Sequence, residues 1–418
     1  MSSNLSEHRL SLTVTLILVS VIFLSSLGDE IAMVAFIFKV ERASSSGLSI
    51  SMLLAAQLVP GILLSPFSGQ IIDRIETTRV LVITLILQGL LLCLLATTNS
   101  VILIVSGAAL LGSLFAVSGP ALFTLLPVII KNSESAMAKT AWANTIIEIT
   151  QRFGSLIGPI LGGIIVAQSA STSIAFLIDA ATFLIAAPVL WFSGIRRRFI
   201  GEEKSQSRKI FEGVFAGIQV LWEERILRVV IPVFTIVMFA SSISDVAFIF
   251  FVRRYLEGDS ITYGILVAVW TGGIICGALA GGTSFVEKRL ELFSMLGATL
   301  IGISLGVSGI FPKFAVVVAT FVAGGIANGL FNVTVRTLLY KYVLEQVHGR
   351  AFAAYAALRN ASIITGYVAG GSFAVESSRI LYIISGALGT VVGIFGVVLI
   401  LLYSSNWKPT QPAESKLE

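Results

Sequence analysis

The sequence predicts an all-α polytopic membrane protein, with twelve transmembrane helices in two pseudo-symmetric six-helix bundles. Three observations predict this fold. Of the 418 residues, 56% are hydrophobic and only 12% are charged, about half the charge of an ordinary soluble protein. The apolar residues form runs that are long enough to cross a bilayer. One charged segment, residues 194–227, separates these runs into two sets of six.

The spans are placed on apolar runs that lie between clusters of charged and turn residues. The predicted spans are 10–38, 47–70, 78–98, 101–130, 138–167 and 172–193, then 228–251, 261–283, 291–311, 314–340, 350–374 and 378–403. The predicted domains are an N-terminal bundle (1–193), a cytoplasmic linker (194–227), a C-terminal bundle (228–403) and a cytoplasmic tail (404–418). Apolar residues at helical spacing in the linker predict an amphipathic helix on the inner membrane surface: Phe211, Val214, Ile218, Leu221 and Trp222.

The basic residues give the orientation. With a cytoplasmic N-terminus, 19 of the 28 Lys and Arg lie in cytoplasmic segments, three lie within spans and six lie in outer loops, namely Lys39, Arg42, Arg253, Arg254, Lys313 and Arg379. Cytoplasmic loops carry an excess of basic residues, so this ratio predicts twelve spans with both termini in the cytoplasm. We expect a multi-pass protein of an inner, plasma-type membrane that functions as a monomer in the lipid bilayer.

Two stretches recur between the halves. Residues 25–29 (SSLGD) are similar to 241–245 (SSISD) at an offset of 216, and 158–163 (GPILGG) is similar to 366–371 (GYVAGG) at an offset of 208. Each pair falls on equivalent spans. A parallel duplication of a six-helix unit explains both, as in transporters with two related bundles.

Several other classes of function are disfavoured. The net charge of +5 reports membrane orientation rather than nucleic-acid binding. Cys93 and Cys276 lie alone in separate apolar runs, and no Gly-Lys pair exists to form a Walker-type phosphate loop. Both histidines, His8 and His348, lie outside the spans, so a Ser or Cys nucleophile there has no His base. We expect no enzyme activity, cofactor or bound metal.

The loop between spans 2 and 3 carries a family signature. Gly69, Asp73, Arg74 and Leu81 resemble the cytoplasmic loop motif of the major facilitator superfamily, in which Arg79 takes the place of a later basic residue. The resemblance implies that Asp73 latches the two halves in the outward-facing state, near Gly349 and Arg350 at the start of span 11. It also implies alternating access, in which the two bundles rock about a central site.

Span 5 is rich in small residues, which allow close helix packing. Gly154, Gly158, Pro159, Gly162 and Gly163 resemble the antiporter motif of drug-exporting facilitators, although Thr145 stands where an earlier glycine is usual. In span 11 the corresponding packing residues are Gly366, Gly370 and Gly371. The resemblance favours export by antiport over uptake.

Further stretches resemble the branch of facilitators that contains macrolide and siderophore exporters. They are Pro60 and Pro66 in span 2, residues 119–121 and 125–127 in span 4, 175–180 in span 6, and 349–350. Span 4 has Ser106 and Gly107 where many drug/proton antiporters place an arginine. A proton-coupling scheme therefore cannot be copied from those antiporters.

Charged side chains inside spans cost roughly 2.5 to 3.5 kcal/mol each, so they should face a cavity or a partner. Glu148 and Arg152 are one turn apart and predict an intrahelical ion pair. Arg336 lies close enough to the cytoplasmic surface to snorkel. Asp179 is expected to cap or pack, and Arg359 is a candidate to pair with an acid of the other half.

Asp29 and Asp245 are the strongest candidates for function, with Glu30 beside the first. The resemblance implies that spans 1 and 7 line the central cavity, and the two aspartates occupy matching repeat positions in its outer half. A carboxylate removed from water favours its protonated form, which suits a proton carrier. The alternative is that each aspartate binds its own helix or a neighbouring one.

We therefore expect a proton-coupled secondary transporter that exports an amphipathic, cationic or zwitterionic small molecule, such as a drug or a siderophore-like compound. Residues 26–29 and 69–73 also resemble lysophospholipid flippases of the same superfamily, which is the first alternative. A ferroportin-like metal exporter is disfavoured because histidine ligands are lacking in the spans. A receptor or scaffold without transport activity is the alternative from another class.

Overall fold

The computed structural model describes residues 2–129, 136–169, 171–193 and 210–405, with side chains over 19–64, 75–122, 145–169, 171–193 and 215–403. The chain is helical throughout these ranges apart from short connections. The helices are α1 (Ser2–Ala43), α2 (Gly47–Arg74), α3 (Thr77–Thr97), α4 (Val101–Ile129), α5 (Ala136–Gln168), α6 (Ser173–Phe192), α7 (Ile210–Glu223), α8 (Leu227–Tyr255), α9 (Ser260–Gly281), α10 (Ser284–Glu287), α11 (Leu290–Ile310), α12 (Phe314–Tyr342), α13 (His348–Gly371) and α14 (Ala374–Ser405).

Eleven of these helices are long and apolar enough to cross a membrane, counting only the residues that the structure describes. Apart from its ends, a helix satisfies its backbone hydrogen bonds within its own segment, which is the requirement inside a bilayer. The eleven coincide with predicted spans. The remaining predicted span, 350–374, is α13, which has 24 residues but is more polar because it carries Arg350, Arg359 and Asn360. The predicted all-helical, polytopic fold is confirmed.

The chain forms two compact units. The first comprises residues 1–203 and 258–268, and the second comprises 204–257 and 269–418, so that α9 begins in one unit and ends in the other. In the first unit α1 packs on α5, α2 on α4, and α3 on α6. In the second unit α8 packs on α13 and α11 on α14, and Gly273 and Gly277 of α9 pack on α12. The same three pairings thus occur in both halves of the sequence.

Lys39 differs from its sequence-based placement in an outer loop. It lies within α1, is 4% exposed, and donates hydrogen bonds to the carbonyl oxygens of Leu95 at 2.8 Å and Ala96 at 3.3 Å. The last carbonyls of a helix lack intrahelical partners, so the ammonium group satisfies the end of α3. The ring of Phe176 lies 5.1 Å from the same nitrogen. This lysine therefore stabilises the packing of α1 against α3, and it is not a loop residue of the kind used to infer the orientation of the chain in the membrane.

The helix α7 lies in the predicted linker and packs against the start of α13. A Cβ atom on Gly217 would stand 2.1 Å from the carbonyl oxygen of Arg350, so the two backbones are in direct contact. Glycine is required for this approach. The linker helix is thus a packed part of the second unit.

Asp259 caps the N-terminus of α9. The backbone N–H of Thr262 donates to its Oδ1 atom at 2.9 Å, and the Thr262 hydroxyl donates to the same oxygen at 3.1 Å. The backbone hydrogen bond is the main reason that the pKa of Asp259 is held below its ordinary value. An N-cap of this kind satisfies donors that the helix itself leaves unpaired.

We expect Asp259→Ala to lower the free energy of unfolding by about 1 kcal/mol at neutral pH. Because the folded-state pKa is lowered, the charged cap stabilises fully above the unfolded-state pKa of about 3.9, and that contribution is lost as the pH falls through the lowered value. Thermal unfolding of the purified protein at neutral and acidic pH measures the difference. Asp259→Asn, which keeps a capping oxygen, is the control, and an effect that grows in acid would contradict this account.

Candidate functional site

The first unit contains a cavity of about 400 Å³ between α1, α2, α4 and α6. Pockets of about 300 to 1,000 Å³ are typical of small-molecule sites. The side chains that line it combine acids, aromatic rings and aliphatic groups: Asp29, Glu30, Ala32, Met33, Phe36, Gln57, Leu111, Gly112, Phe115, Asp179 and Phe183. None of these lining residues is basic, so the cavity is acidic and amphipathic.

Asp29 and Asp179 meet at this cavity from α1 and α6. Asp179 is 2% exposed, and its Oδ1 atom accepts a hydrogen bond from the Thr182 hydroxyl at 3.3 Å. A Cβ atom on Gly28 would lie 2.3 Å from that same oxygen. The absence of a side chain at Gly28 therefore lets the Asp179 carboxylate lie directly against α1, beside Asp29. Asp179 packs between helices and also lines the cavity.

Glu30 is positioned by α5. Its Oε1 atom accepts a hydrogen bond from the Ser155 hydroxyl at 2.7 Å. A Cβ atom on Gly158 would lie 2.4 Å from the Cβ atom of Glu30, so the bare backbone of α5 leaves room for this side chain. The three acids consequently come from α1 and α6, and α5 positions Glu30 among them.

A smaller cavity of about 140 Å³ adjoins Asp29. Asp29, Phe115 and Phe183 line both cavities. The polar groups in the smaller cavity, apart from Asp29, are uncharged: Ser25, Ser26, Gln88, Ser118 and Gln151. Asp29 is therefore the one carboxylate in the described lining that both cavities share.

Asp245 lies on α8 in the second unit, and its side chain is exposed. The neighbouring Ser242 and Ser244 are buried, and the buried hydroxyl of Ser241 has no hydrogen-bond partner among the described residues. The structure thus places the serine-rich repeat of span 7 in the helix packing and leaves the carboxylate of Asp245 accessible.

The other predicted intramembrane charges are in two places. Arg152 and Glu148 form an ion pair of 2.7 Å along α5, with half or more of each side chain exposed. Arg336 and Arg359 both lie close to the hydroxyl group of Tyr355 in the second unit. Within the part of the chain whose side chains are described, neither arginine forms an ion pair, and the buried Nε of Arg359 lacks a hydrogen-bond partner.

The predicted gating motif is only partly visible. The side chains of Asp73 and Arg74 and the surroundings of Gly69 lie outside the described residues, although the backbone of all three belongs to α2. Arg79 forms an ion pair of 2.9 Å with Glu76. Gly349 and Arg350 begin α13, and a Cβ atom on Gly349 would meet nothing within 4 Å.

The small residues of span 5 face two helices. Cβ atoms on Gly154, Gly158 and Gly162 would contact α1, whereas Gly163 and the carbonyl of Pro159 contact α9. In the second unit, Gly366 and Gly370 contact α8 at Phe239, Ser242 and Ile243, and Gly371 is buried beside them. Close backbone approach at four-residue spacing is therefore present in both units.

Sequence reasoning missed Gln57 and Gln88, which line the larger and the smaller cavity respectively. Gln88 is the one amide side chain in predicted span 78–98, and Gln57 lies in the middle of span 47–70, so a polar group in an apolar helix is a signal that could have identified both. Across the described side chains, no group of three or more His, Cys, Asp or Glu is arranged to hold a metal ion.

Comparison with known proteins identifies relatives along nearly the whole chain. The uncharacterized MFS-type transporter YfiS of Bacillus subtilis (strain 168) is 24% identical over 388 residues, which cover 90% of each chain. Among solved structures, the nucleoside transporter NupG has a TM-score of 0.69 at 13% identity, covering 93% of this chain and 99% of NupG.

A bacterial homolog of the human lysosomal transporter Spinster has a TM-score of 0.68 at 14% identity, covering 96% of this chain and 99% of that one. At such identities the likeness to solved structures shows the fold alone. The family profile described as Major Facilitator Superfamily matches residues 18–303, which is more than half of the chain. The protein therefore belongs to the Major Facilitator Superfamily and is a multi-pass membrane transporter.

Proposed function

We propose that this transporter exports an amphipathic organic compound, cationic or zwitterionic, in exchange for protons by alternating access. The observation that carries the proposal is the acidic, aromatic cavity of the first unit. Asp29, Glu30 and Asp179 supply the negative charge, and Phe36, Phe115 and Phe183 supply apolar and π surface. Aromatic faces and carboxylates together favour a ligand that is both apolar and positively charged.

Proton exchange is the second part of the proposal. A carboxylate that binds either a proton or the cationic group of a substrate couples the two by competition, and such coupling is reciprocal. Asp29 and Asp179 are adjacent, so holding both negative charges without a proton or a cation is unfavourable. The resemblance of span 5 to antiporter motifs supports exchange in the direction of export.

The test is a flux screen in proteoliposomes that contain the purified protein. Cationic, zwitterionic and anionic amphipathic compounds and lysolipids are compared with and without an imposed pH gradient. We expect cationic or zwitterionic compounds to accumulate only when the gradient is present. Lysolipid movement that does not depend on the gradient would instead support a flippase, and no transport of any compound would contradict the proposal.

A further inference from the structure

The two cavities of the first unit follow one another along the helix axes. On α1, residues 21–26 line the smaller cavity and residues 32–36 line the larger one. On α4 the order is reversed, as expected for an antiparallel neighbour, with 118–122 in the smaller cavity and 111–112 in the larger. Asp29, Phe115 and Phe183 lie at the boundary between them.

The smaller cavity lies on the side of Asp29 that faces the N-terminus of α1. The distribution of basic residues predicts that this side is cytoplasmic. The remaining lining agrees, because Leu81 and Leu85 lie in the first half of α3 and Leu190 lies near the end of α6. The smaller cavity therefore leads from Asp29 toward the cytoplasmic face.

Gln88 indicates what this cavity holds. Its side chain is 0% exposed, and neither Nε2 nor Oε1 has a hydrogen-bond partner among the described residues. A buried amide left without partners costs about 1 to 3 kcal/mol, so such groups are normally satisfied by protein or by ordered water. At about 30 Å³ per water molecule, the cavity of about 140 Å³ has room for about four.

The boundary separates ligands by size and chemistry. The ring centroids of Phe115 and Phe183 are 6.0 Å apart, and these rings flank the only polar side chain that both sets of lining residues share, Asp29. An organic compound in the larger cavity meets aromatic rings at this point.

We propose that the smaller cavity is a hydrated chamber that carries protons between Asp29 and the cytoplasmic side. The proposal rests on the proton exchange proposed above and adds the route that the proton takes between Asp29 and the cytoplasm. The O–H bond of protonated Asp29 breaks, a new O–H bond forms on a chamber water, and the carboxylate is regenerated as the hydronium charge moves along the water. Gln88 and the serine hydroxyls position that water.

The charged groups around Asp29 are consistent with a transient proton at this position. Glu30 neighbours it on α1, and Asp179 faces it from α6. Arg152 on α5 forms an ion pair with Glu148 and also lies close enough to Glu30 to attract its carboxylate. The described side chains of α2 and α4 include no charged group. No lysine or arginine therefore neutralises Asp29 permanently within the described side chains.

The first test concerns hydration and does not depend on transport. Ser118→Cys is made in a background in which Cys93 and Cys276 are replaced by alanine, and it is treated with a small, water-soluble methanethiosulfonate reagent. We expect modification of this cysteine but not of a matched Ala108→Cys variant, because Ala108 is 0% exposed on the same helix and lines neither cavity. Equal reactivity of the two cysteines, or none at Ser118→Cys, would overturn the proposal.

The second test concerns coupling. In Gln88→Leu we expect substrate-dependent proton flux, followed with a pH-sensitive dye inside proteoliposomes, to fall by about tenfold or more, while exchange of labelled for unlabelled compound falls much less. Gln168→Leu, the same change at an exposed position in the same unit, should keep the wild-type ratio of the two rates.

The outcomes separate the two proposals. If the wild type moves no protons with its substrate, proton exchange is wrong and the chamber is wrong with it. If the wild type is coupled and Gln88→Leu is coupled equally well, the chamber alone is wrong. Should Gln88→Leu fail to fold, Ser118→Ala supports the same comparison, and wild-type coupling in that variant would overturn the chamber.

Discussion

Replacing Asp29 by asparagine is expected to abolish the accumulation of substrate driven by a pH gradient, with the protein still folded. Asparagine has nearly the same shape but cannot carry a proton, and Asp29 lines both cavities of the first unit. Coupling free energies are typically 1 to 3 kcal/mol, so the gradient-driven accumulation ratio of the wild type should be about 5 to 150 and should fall to about one in this variant. Proteoliposome uptake with an imposed pH gradient measures this ratio.

Related variants define how specific the effect is. Asp179→Asn should also weaken coupling, because it removes the second carboxylate of the pair, and Asp245→Asn is expected to do the same from the second unit. Glu148→Gln is the matched control, since Glu148 is an exposed acid that lines neither cavity. Unchanged coupling in both Asp29→Asn and Asp245→Asn would remove these residues from the proton pathway.

Much of the fold could be predicted from the sequence, because membrane helices are specified locally. A run of about 20 apolar residues is sufficient to define a span, and no knowledge of its neighbours is needed. The repeated SSLGD and SSISD stretches likewise predict that Asp29 and Asp245 are equivalent positions. α13 shows the limit of this approach, since Arg350, Arg359 and Asn360 make the helix more polar than the other spans.

The arrangement of the site could not be predicted, because it depends on contacts between residues far apart in the chain. Asp179 follows Asp29 by 150 positions, and their adjacency depends on the missing side chain at Gly28. In the same way, the sequence predicts that Lys39 is a loop residue, because its hydrogen bond to the carbonyl oxygen of Leu95 at the end of α3 depends on tertiary packing. Sequence patterns report the periodicity of one helix, whereas a cavity is defined by the side chains of several.

Gln88 illustrates the same distinction. A single amide in an apolar span marks a position of interest, but the role that we propose for Gln88 depends on the absence of a hydrogen-bond partner among the described residues. That fact emerges only when α1, α3, α4, α5 and α6 are assembled around the smaller cavity. The sequence thus shows a polar residue in an apolar helix, whereas only the packed structure shows that the amide has no described hydrogen-bond partner.

Gly158→Leu is expected to separate α5 from α1 and to destabilise the first unit. Even a Cβ atom at this position would lie 2.4 Å from the Cβ atom of Glu30 and 3.1 Å from the carbonyl oxygen of Leu27. Neither atom is the end of a flexible side chain, so the helices themselves must move. Overpacking of this kind costs about 1 to 3 kcal/mol, and each kcal/mol lowers Tm by about 2 to 4 °C in a unit of this size.

We therefore expect the Tm of the purified protein to fall by about 2 to 12 °C in a thermal unfolding assay. Gly61→Leu is the matched control, because a Cβ atom there would meet nothing within 4 Å and leucine favours a helix as much as at Gly158. Equal shifts in the two variants would show that the contact with α1 is not the cause. Since Gly158 also makes room for Glu30, folded Gly158→Leu protein should bind a cationic substrate more weakly, whereas Gly61→Leu should not.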